Sequence, residues 1–340
     1  MRIVLSGATG FLGRHAARQL LAAGHSLCCL SRGGGLPHGL PEGAAVEAAS
    51  ADVLDEAALT AALDGCDVFV HAAGLVSHSL ADAHKTTAVH LRGTEVAMRA
   101  ARAAGVRRVV YLSTSGTIAV GTDPDVIFDE SAEPPLPIID RWPYYRSKLF
   151  GEQVALAHND ADLAVVCLNP TLLLGPGDDP QGKSTDAVRT FLDDGVPLAP
   201  PGGIAFVDVR DVAEAIVSAL SRGQGGQRYL LNGCNQSFEA FFARLARISG
   251  KDAPMGALPA GLTRGALRWL PGLGKKDGIG VGVGARISRD DMELASHFWY
   301  CSSEKAERAL GFRARDPLLT LQDTVDDLQS RRRSVFDLYA

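Results

Sequence analysis

The segment Tyr144-Tyr145-Arg146-Ser147-Lys148 sets a phenol four residues ahead of an ammonium. On a helix that spacing stacks the two on one face, about one turn apart. A free phenol has a pKa of about 10 and exchanges protons poorly at neutral pH. A nearby ammonium favours the phenolate and is expected to lower that pKa. A phenol tuned in this way can act as a general acid toward a carbonyl, or as a base toward an alcohol. Tyr145 has no lysine at this spacing, so Tyr144 is the candidate. Further hydroxyls cluster in Ser113-Thr114-Ser115-Gly116-Thr117, just after an apolar run. Any of them could hydrogen-bond a reacting oxygen, or could serve a turn or backbone cap.

A second constellation stands at the start of the chain. Ser6-Gly7-Ala8-Thr9-Gly10-Phe11-Leu12-Gly13 follows one apolar run and opens a helical pattern. Glycines so placed let backbone N–H groups at a helix N-terminus approach a pyrophosphate. A side chain at Gly7 or Gly10 would stand in the ligand's way, and one at Gly13 would force helix and strand apart. Gly7, Thr9, Gly10, Phe11, Leu12 and Gly13 are therefore the expected dinucleotide contacts. A protein binding an unphosphorylated ribose usually carries an acid about twenty residues further on. Here the position reads Ser31-Arg32-Gly33, with no acid before Glu42. A guanidinium pairs with a 2′-phosphate that a carboxylate would repel. Arg32 thus favours NADP(H) over NAD(H), unless it is simply an exposed, uninvolved arginine. Asp52 and Val53 are placed to meet the adenine edge, although Asp52 could equally cap the next helix.

The elements that must position these groups alternate. Short apolar runs at 2–6, 26–30, 46–49, 67–72, 107–112 and 163–168 read as strands. Helical periodicity occupies 11–23, 55–63, 80–104 and 144–157. This order predicts an α/β fold: a doubly wound parallel (Rossmann) sheet with helices on both faces and ligands at its carboxyl edge. Residues 204–209 are expected to return one further strand to that sheet, with a helix at 211–220. Residues 1–170 plus about 204–232 then form the dinucleotide-binding domain. Residues 171–203 and 233–340 form a smaller substrate-binding lobe of short helices and loops. The glycine-rich stretch 271–284 is expected to be a mobile surface loop, with a lid as the alternative.

Composition bounds the function. Hydrophobic residues make up 46% and charged residues 21% of 340 residues, enough apolar material to order the chain. A net charge of −5 without a basic stripe argues against nucleic-acid binding. No apolar run approaches the roughly 18–20 residues of a membrane span. Met1-Arg2-Ile3-Val4 runs straight into a strand, which predicts a cytosolic protein. None of Cys28, Cys29, Cys66, Cys167, Cys234 and Cys301 forms a C-x-x-C pair, so reduced structural thiols are expected and no metal site is read.

Together these motifs resemble an extended short-chain dehydrogenase/reductase of the epimerase/dehydratase superfamily, most like its dihydroflavonol-reductase-like and 3β-hydroxysteroid-dehydrogenase-like branch. The supporting segments include His71-Ala72-Ala73-Gly74, Asn169-Pro170-Thr171-Leu172, Phe206-Val207-Asp208-Val209-Arg210-Asp211 and Leu310-Gly311-Phe312. The resemblance implies that Ser115 is the catalytic serine, Tyr144 the proton donor, and Lys148 the ligand of the nicotinamide ribose. It further implies that Ala72, Ala73, Gly74 and Ser113 lie along the cofactor, with Pro170, Thr171 and Leu172 near the nicotinamide amide. His90 stands where the family often has asparagine; it could relay a proton or be a satisfied core histidine. A homodimer through helices 80–104 and 144–157 is the family expectation. The implied activity is NADPH-dependent reduction of a ketone or aldehyde. The alternatives are a nucleotide-sugar epimerase with tightly held NAD and a non-catalytic NADP-binding sensor. A sugar dehydratase fits less well, because no carboxylate follows Ser115. Apolar or small residues around 75–84, 174–185, 201–206 and 261–286 tilt the expected substrate toward a hydrophobic one.

Overall fold

Ile3 and Leu5 face one side of the first strand and Val4 the other, and all three are fully buried. A strand of that kind needs helices on both faces. The computed structural model describes residues 1–77, 79–179, 182–258 and 289–337. β1 (Arg2–Ser6) turns into α1 (Phe11–Ala22), followed by β2 (Ser26–Ser31) and β3 (Val46–Ser50). Then come α2 (Glu56–Leu63), β4 (Val68–His71), α3 (Ala83–Thr87), α4 (Gly93–Ala103) and β5 (Arg108–Leu112). α5 (Leu136–Ile139) and α6 (Pro143–Ala157) precede β6 (Ala164–Pro170) and β7 (Leu172–Leu174). α7 (Asp186–Asp194), β8 (Gly203–Asp208), α8 (Val209–Arg222) and β9 (Arg228–Leu231) follow. β10 (Cys234–Ser237) leads into α9 (Phe238–Ser249). The described chain closes with α10 (Arg289–Leu294), α11 (Glu304–Leu310) and α12 (Pro317–Asp337).

Seven strands form one sheet in the order β3-β2-β1-β4-β5-β6-β9, with every neighbouring pair parallel. The chain leaves β1 toward β3, then returns at β4 to build the other half. The carboxyl ends of β1 and β4 therefore flank a switch point, where such sheets open a ligand crevice. α1, α8 and α11 cover one face, with Leu20, Ile216 and Leu310 in its core. α2, α4 and α6 cover the other, with Leu59, Val96 and Ala155. The second sheet, β10-β8-β7, packs with α7, α9 and α12 around Phe191, Phe206, Phe241 and Leu321.

Three expectations need correction. Residues 204–209 do form a strand, but β8 pairs with β7 and β10 in the second sheet. Its register puts Phe206 opposite Leu172, directly beyond the end of β6, while Val207 enters the core of the main sheet. The main sheet's last strand is instead the four-residue β9. The helical stretch 80–104 is broken: a 3₁₀ turn at Leu80–Asp82, α3, a π-helical segment at Ala88–Arg92, and α4. The lobe is not made of short helices alone, since α12 runs for 21 residues. The stretch 271–284 lies outside the described residues. No described helix is long and apolar enough to cross a membrane. All six cysteines are free, and burial raises Cys29 to about 12 and Cys66 to about 11, which keeps both as thiols.

Candidate active site

The glycine turn sits at the carboxyl end of β1, and its glycines answer to backbone as much as to ligand. Gly7 has φ +71°, and a Cβ there would lie 2.7 Å from the carbonyl oxygen of Ala72. Gly7 thus makes room for the backbone of the segment after β4. At Gly13 a Cβ would fall 2.0 Å from the Gly7 oxygen, so the α1–β1 packing reading holds. Gly10 is the N-cap of α1, with no side chain capping the helix. The first-turn N–H groups of α1, next to exposed Thr9 and half-buried Phe11 and Leu12, are therefore left for an anion, and this cradle fits a pyrophosphate. Arg14 braces it from behind, donating to Thr9 O at 3.1 Å and Gly177 O at 2.5 Å.

Ser6 Oγ accepts the N–H of Ala73 at 3.2 Å and contacts His71 Nδ1 at 2.8 Å. These bonds pin Ala72, Ala73 and Gly74 across the turn. Arg32 is exposed beyond β2, and among the described residues no ion pair engages its guanidinium. Asp52 accepts from Leu54 N, while Asp55 caps α2 through Ala58 N. The capping alternative for Asp52 therefore falls away. Val53 is buried under Gly93.

Tyr144 and Lys148 both leave the start of α6, where Pro143 begins the helix. Lys148 is buried, and its Nζ donates to Leu112 O at 2.8 Å, at the end of β5. Burial lowers its pKa from 10.5 to about 8, against the opposing field of Glu152. The expected lowering of the Tyr144 pKa does not occur. Burial raises that phenol to about 12, and only a hydrogen bond with the Thr114 side chain works the other way. Leu112 O takes the ammonium, and desolvation dominates the phenol.

The hydroxyls of Ser113, Thr114 and Ser115 separate by role. Ser113 donates to Glu152, Thr114 meets Tyr144 and caps the 3₁₀ turn Ser115–Thr117, and Ser115 is buried at the first position of that turn. Thr171 donates to Leu231 O at 3.3 Å, Pro170 closes β6, and half-buried Leu172 opens β7. His90 is satisfied at both nitrogens: Leu75 N donates to Nε2 at 3.0 Å, so Nδ1 carries the proton that faces Ser147 Oγ at 2.8 Å. Burial and Lys148 hold its pKa at about 2. It is a neutral wall of the site, edge-on to Tyr144 with ring centroids 5.5 Å apart. Sequence reasoning missed Thr114 as the phenol's partner, and also Glu152, Asn169 and Arg14. Only Glu152 had a local signal, four residues after Lys148.

The parallel sheet, the bare helix N-terminus at its switch point and the Tyr–Lys pair beside it define a dinucleotide-dependent enzyme. The NAD-dependent epimerase/dehydratase family profile matches residues 3–231, and the chain belongs to that family. It is an NAD(P)-dependent oxidoreductase of the extended short-chain dehydrogenase/reductase type. Two curated relatives align along nearly the whole chain. A putative dihydroflavonol 4-reductase of Synechocystis is 28% identical, covering 96% of this chain and 94% of its own. A 4-hydroxy-2-methyl-3-oxo-4-farnesyl-3,4-dihydroquinoline-1-oxide ketoreductase of Stigmatella aurantiaca is 30% identical, covering 97% and 96%. The crystal structure of gox2253 superimposes with a TM-score of 0.81 at 27% identity, over 97% of this chain and 98% of that one.

Proposed function

We propose that the chain is an NADPH-dependent reductase of a ketone or aldehyde on a small, hydrophobic substrate. The observation that carries this reading is the placement of the pair: Tyr144 and Lys148 leave one face of α6, Lys148 is pinned to Leu112 O at 2.8 Å, and the phenol meets Thr114 beside Ser115. With Tyr144 raised to about 12 and Lys148 lowered to about 8, both hold their protons at neutral pH. A protonated phenol is the form that gives a proton to a carbonyl oxygen as negative charge develops there. When bound, the dinucleotide supplies the hydride. The chain supplies the rest: the glycine turn and α1 hold the pyrophosphate, and Arg32 faces the 2′-phosphate. Lys148 binds the nicotinamide ribose, and Pro170, Thr171 and Leu172 line the nicotinamide side. Ser115, with Thr114 beside it, orients the substrate oxygen toward Tyr144, which delivers the proton.

The ketoreductase and reductase names of the full-length relatives support this direction. Next to Tyr144, Tyr145 and Trp299 lie with centroids 4.8 Å apart and Trp142 packs on both, a buried aromatic cluster that backs the site. The stretch 261–286, counted with the pocket on sequence grounds, lies outside the described residues. The test is cofactor consumption, followed by absorbance, against β-keto acids, steroids, flavonoid ketones and nucleotide sugars. Faster oxidation of NADPH than NADH with a hydrophobic ketone is expected. Protein that purifies with bound dinucleotide and interconverts nucleotide sugars would instead identify an epimerase.

A further inference from the structure

Glu152 is a fully buried charge with no task in the chemistry described so far. It stands four residues beyond Lys148 on α6, hence on the same helix face, one turn further along. Its Oε2 accepts from Ser113 Oγ and from Asn169 Nδ2 at 2.7 Å, and lies 3.0 Å from Thr117 Oγ1. Asn169 Nδ2 also lies 3.1 Å from Thr114 O and 3.2 Å from Thr117 Oγ1. On the other side, Oε1 makes no hydrogen bond and sits 3.3 Å from Arg228 Nε. One carboxylate therefore ties α6 to the ends of β5 and β6, to the 3₁₀ turn Ser115–Thr117, and to the first residue of β9.

Burying a carboxylate costs several kcal/mol unless partners compensate it. A core position needing only shape would be filled more cheaply by an apolar side chain. Two features account for a charge here. The donors gathered on Oε2 flank Thr114 and Ser115, the hydroxyls assigned above to orient the substrate oxygen, and so fix where those hydroxyls point. The second feature is the surroundings of Lys148. From β4 and the π segment it is faced by His71 and His90, both neutral, with pKa values held at about 3 and about 2 by burial. From β5 it meets the Tyr111 ring and the Leu112 carbonyl, and from β6 the Cys167 thiol, which burial keeps protonated. Tyr144 on its own helix is a neutral phenol. Among these groups only Glu152 carries a full negative charge.

We propose that Glu152 is the positioning residue of this site, a single carboxylate that fixes the 113–117 segment beside Tyr144 and acts as counter-charge to the Lys148 ammonium. The role rests on the Tyr144–Lys148 reading, and the test of its counter-charge half needs neither substrate nor cofactor. Protein labelled with 13C at the lysine ε-carbon is titrated by NMR, with Lys148 assigned by its absence from Lys148→Arg. Glu152→Gln keeps an oxygen for Ser113 and Asn169 and removes the charge. Its Lys148 midpoint should fall by about one pH unit, a tenfold change in proton affinity. A titration curve that superimposes on the parent's overturns the counter-charge role. Thr117→Val keeps the charge and removes one of the surrounding hydroxyls. It should leave the Lys148 midpoint in place while lowering kcat about tenfold at unchanged cofactor KM, the mark of a displaced catalytic group. Parent-like kcat in Thr117→Val overturns the positioning role, and this variant decides if Glu152→Gln does not fold. A parent inert toward every carbonyl and sugar, yet showing the shift in Glu152→Gln, would count against the proposed reaction and leave the counter-charge standing.

Discussion

Burial moves two ionisable side chains one helical turn apart in opposite directions: the phenol is raised and keeps its proton, and the ammonium is lowered but still charged at neutral pH. Lys148 at about 8 is charged below that pH and loses its proton as pH rises through it. If the ammonium is needed to hold the ribose, kcat/KM should fall above about pH 8. The sign for stability is the reverse. Between about 8 and 10.5 the unfolded chain binds a proton at this lysine that the folded chain does not, so its contribution to stability rises with pH. A pH–rate profile run beside thermal denaturation of the parent and Lys148→Met separates the two. Activity that declines only where the parent unfolds would contradict the assignment. The hydroxyls can be ranked as well. Ser115→Ala should lower kcat by about 10²-fold or more, as loss of an oxyanion partner does. A kcat unchanged in Ser115→Ala and lost in Thr114→Val would move the role to Thr114. The Tyr–Lys pair was legible because helical spacing makes it a local pattern. Its electrostatics were not, because the Leu112 carbonyl and the burial of Tyr144 arise from packing across the sheet.

At the scale of elements, the site depends on an irregularity. The π-helical turn Ala88–Arg92 carries His90, whose carbonyl accepts a hydrogen bond from the Thr94 hydroxyl at 2.5 Å. α6 lies directly against that turn. A Cβ at Gly151 would be 2.3 Å from His90 O, so only glycine lets the helix bearing Tyr144 and Lys148 approach so closely. Gly151→Ala should destabilise the fold by about 1–3 kcal/mol, as overpacking does. It should also lower kcat more than it weakens dinucleotide binding. Denaturant unfolding together with steady-state kinetics checks both, and an unperturbed variant would show that α6 has slack. Nothing in Ala88-Val89-His90-Leu91-Arg92 marks a π turn, since each residue is ordinary in a helix. The strand alternation of the first half was readable for the opposite reason: its apolar runs are short, continuous and set off by small residues.

Across the whole molecule, two bodies of core meet at β8. Val207 belongs to the sheet's core, while Ile204 and Phe206 belong to the lobe with Leu321 and Val325 of α12. The same apolar run could have joined either sheet. Its partner is chosen by β7, which no sequence pattern announced. Arg210, bidentate to Asp208 and bonded to Asp323, holds α12 against that junction. Leu321 is fully buried, so Leu321→Ala should cost about 2–5 kcal/mol. It should raise substrate KM while leaving dinucleotide affinity unchanged, because the crevice at β1 and β4 lies in the other core. Equal loss of both affinities would show that the two cores act as one. The most direct test of the central claim is Tyr144→Phe, comparing NADPH affinity by fluorescence with single-turnover NADPH oxidation in the presence of a ketone the parent reduces. Affinity within about twofold of the parent, with oxidation slowed by 10²-fold or more, is the predicted result. Oxidation near the parent rate would contradict it.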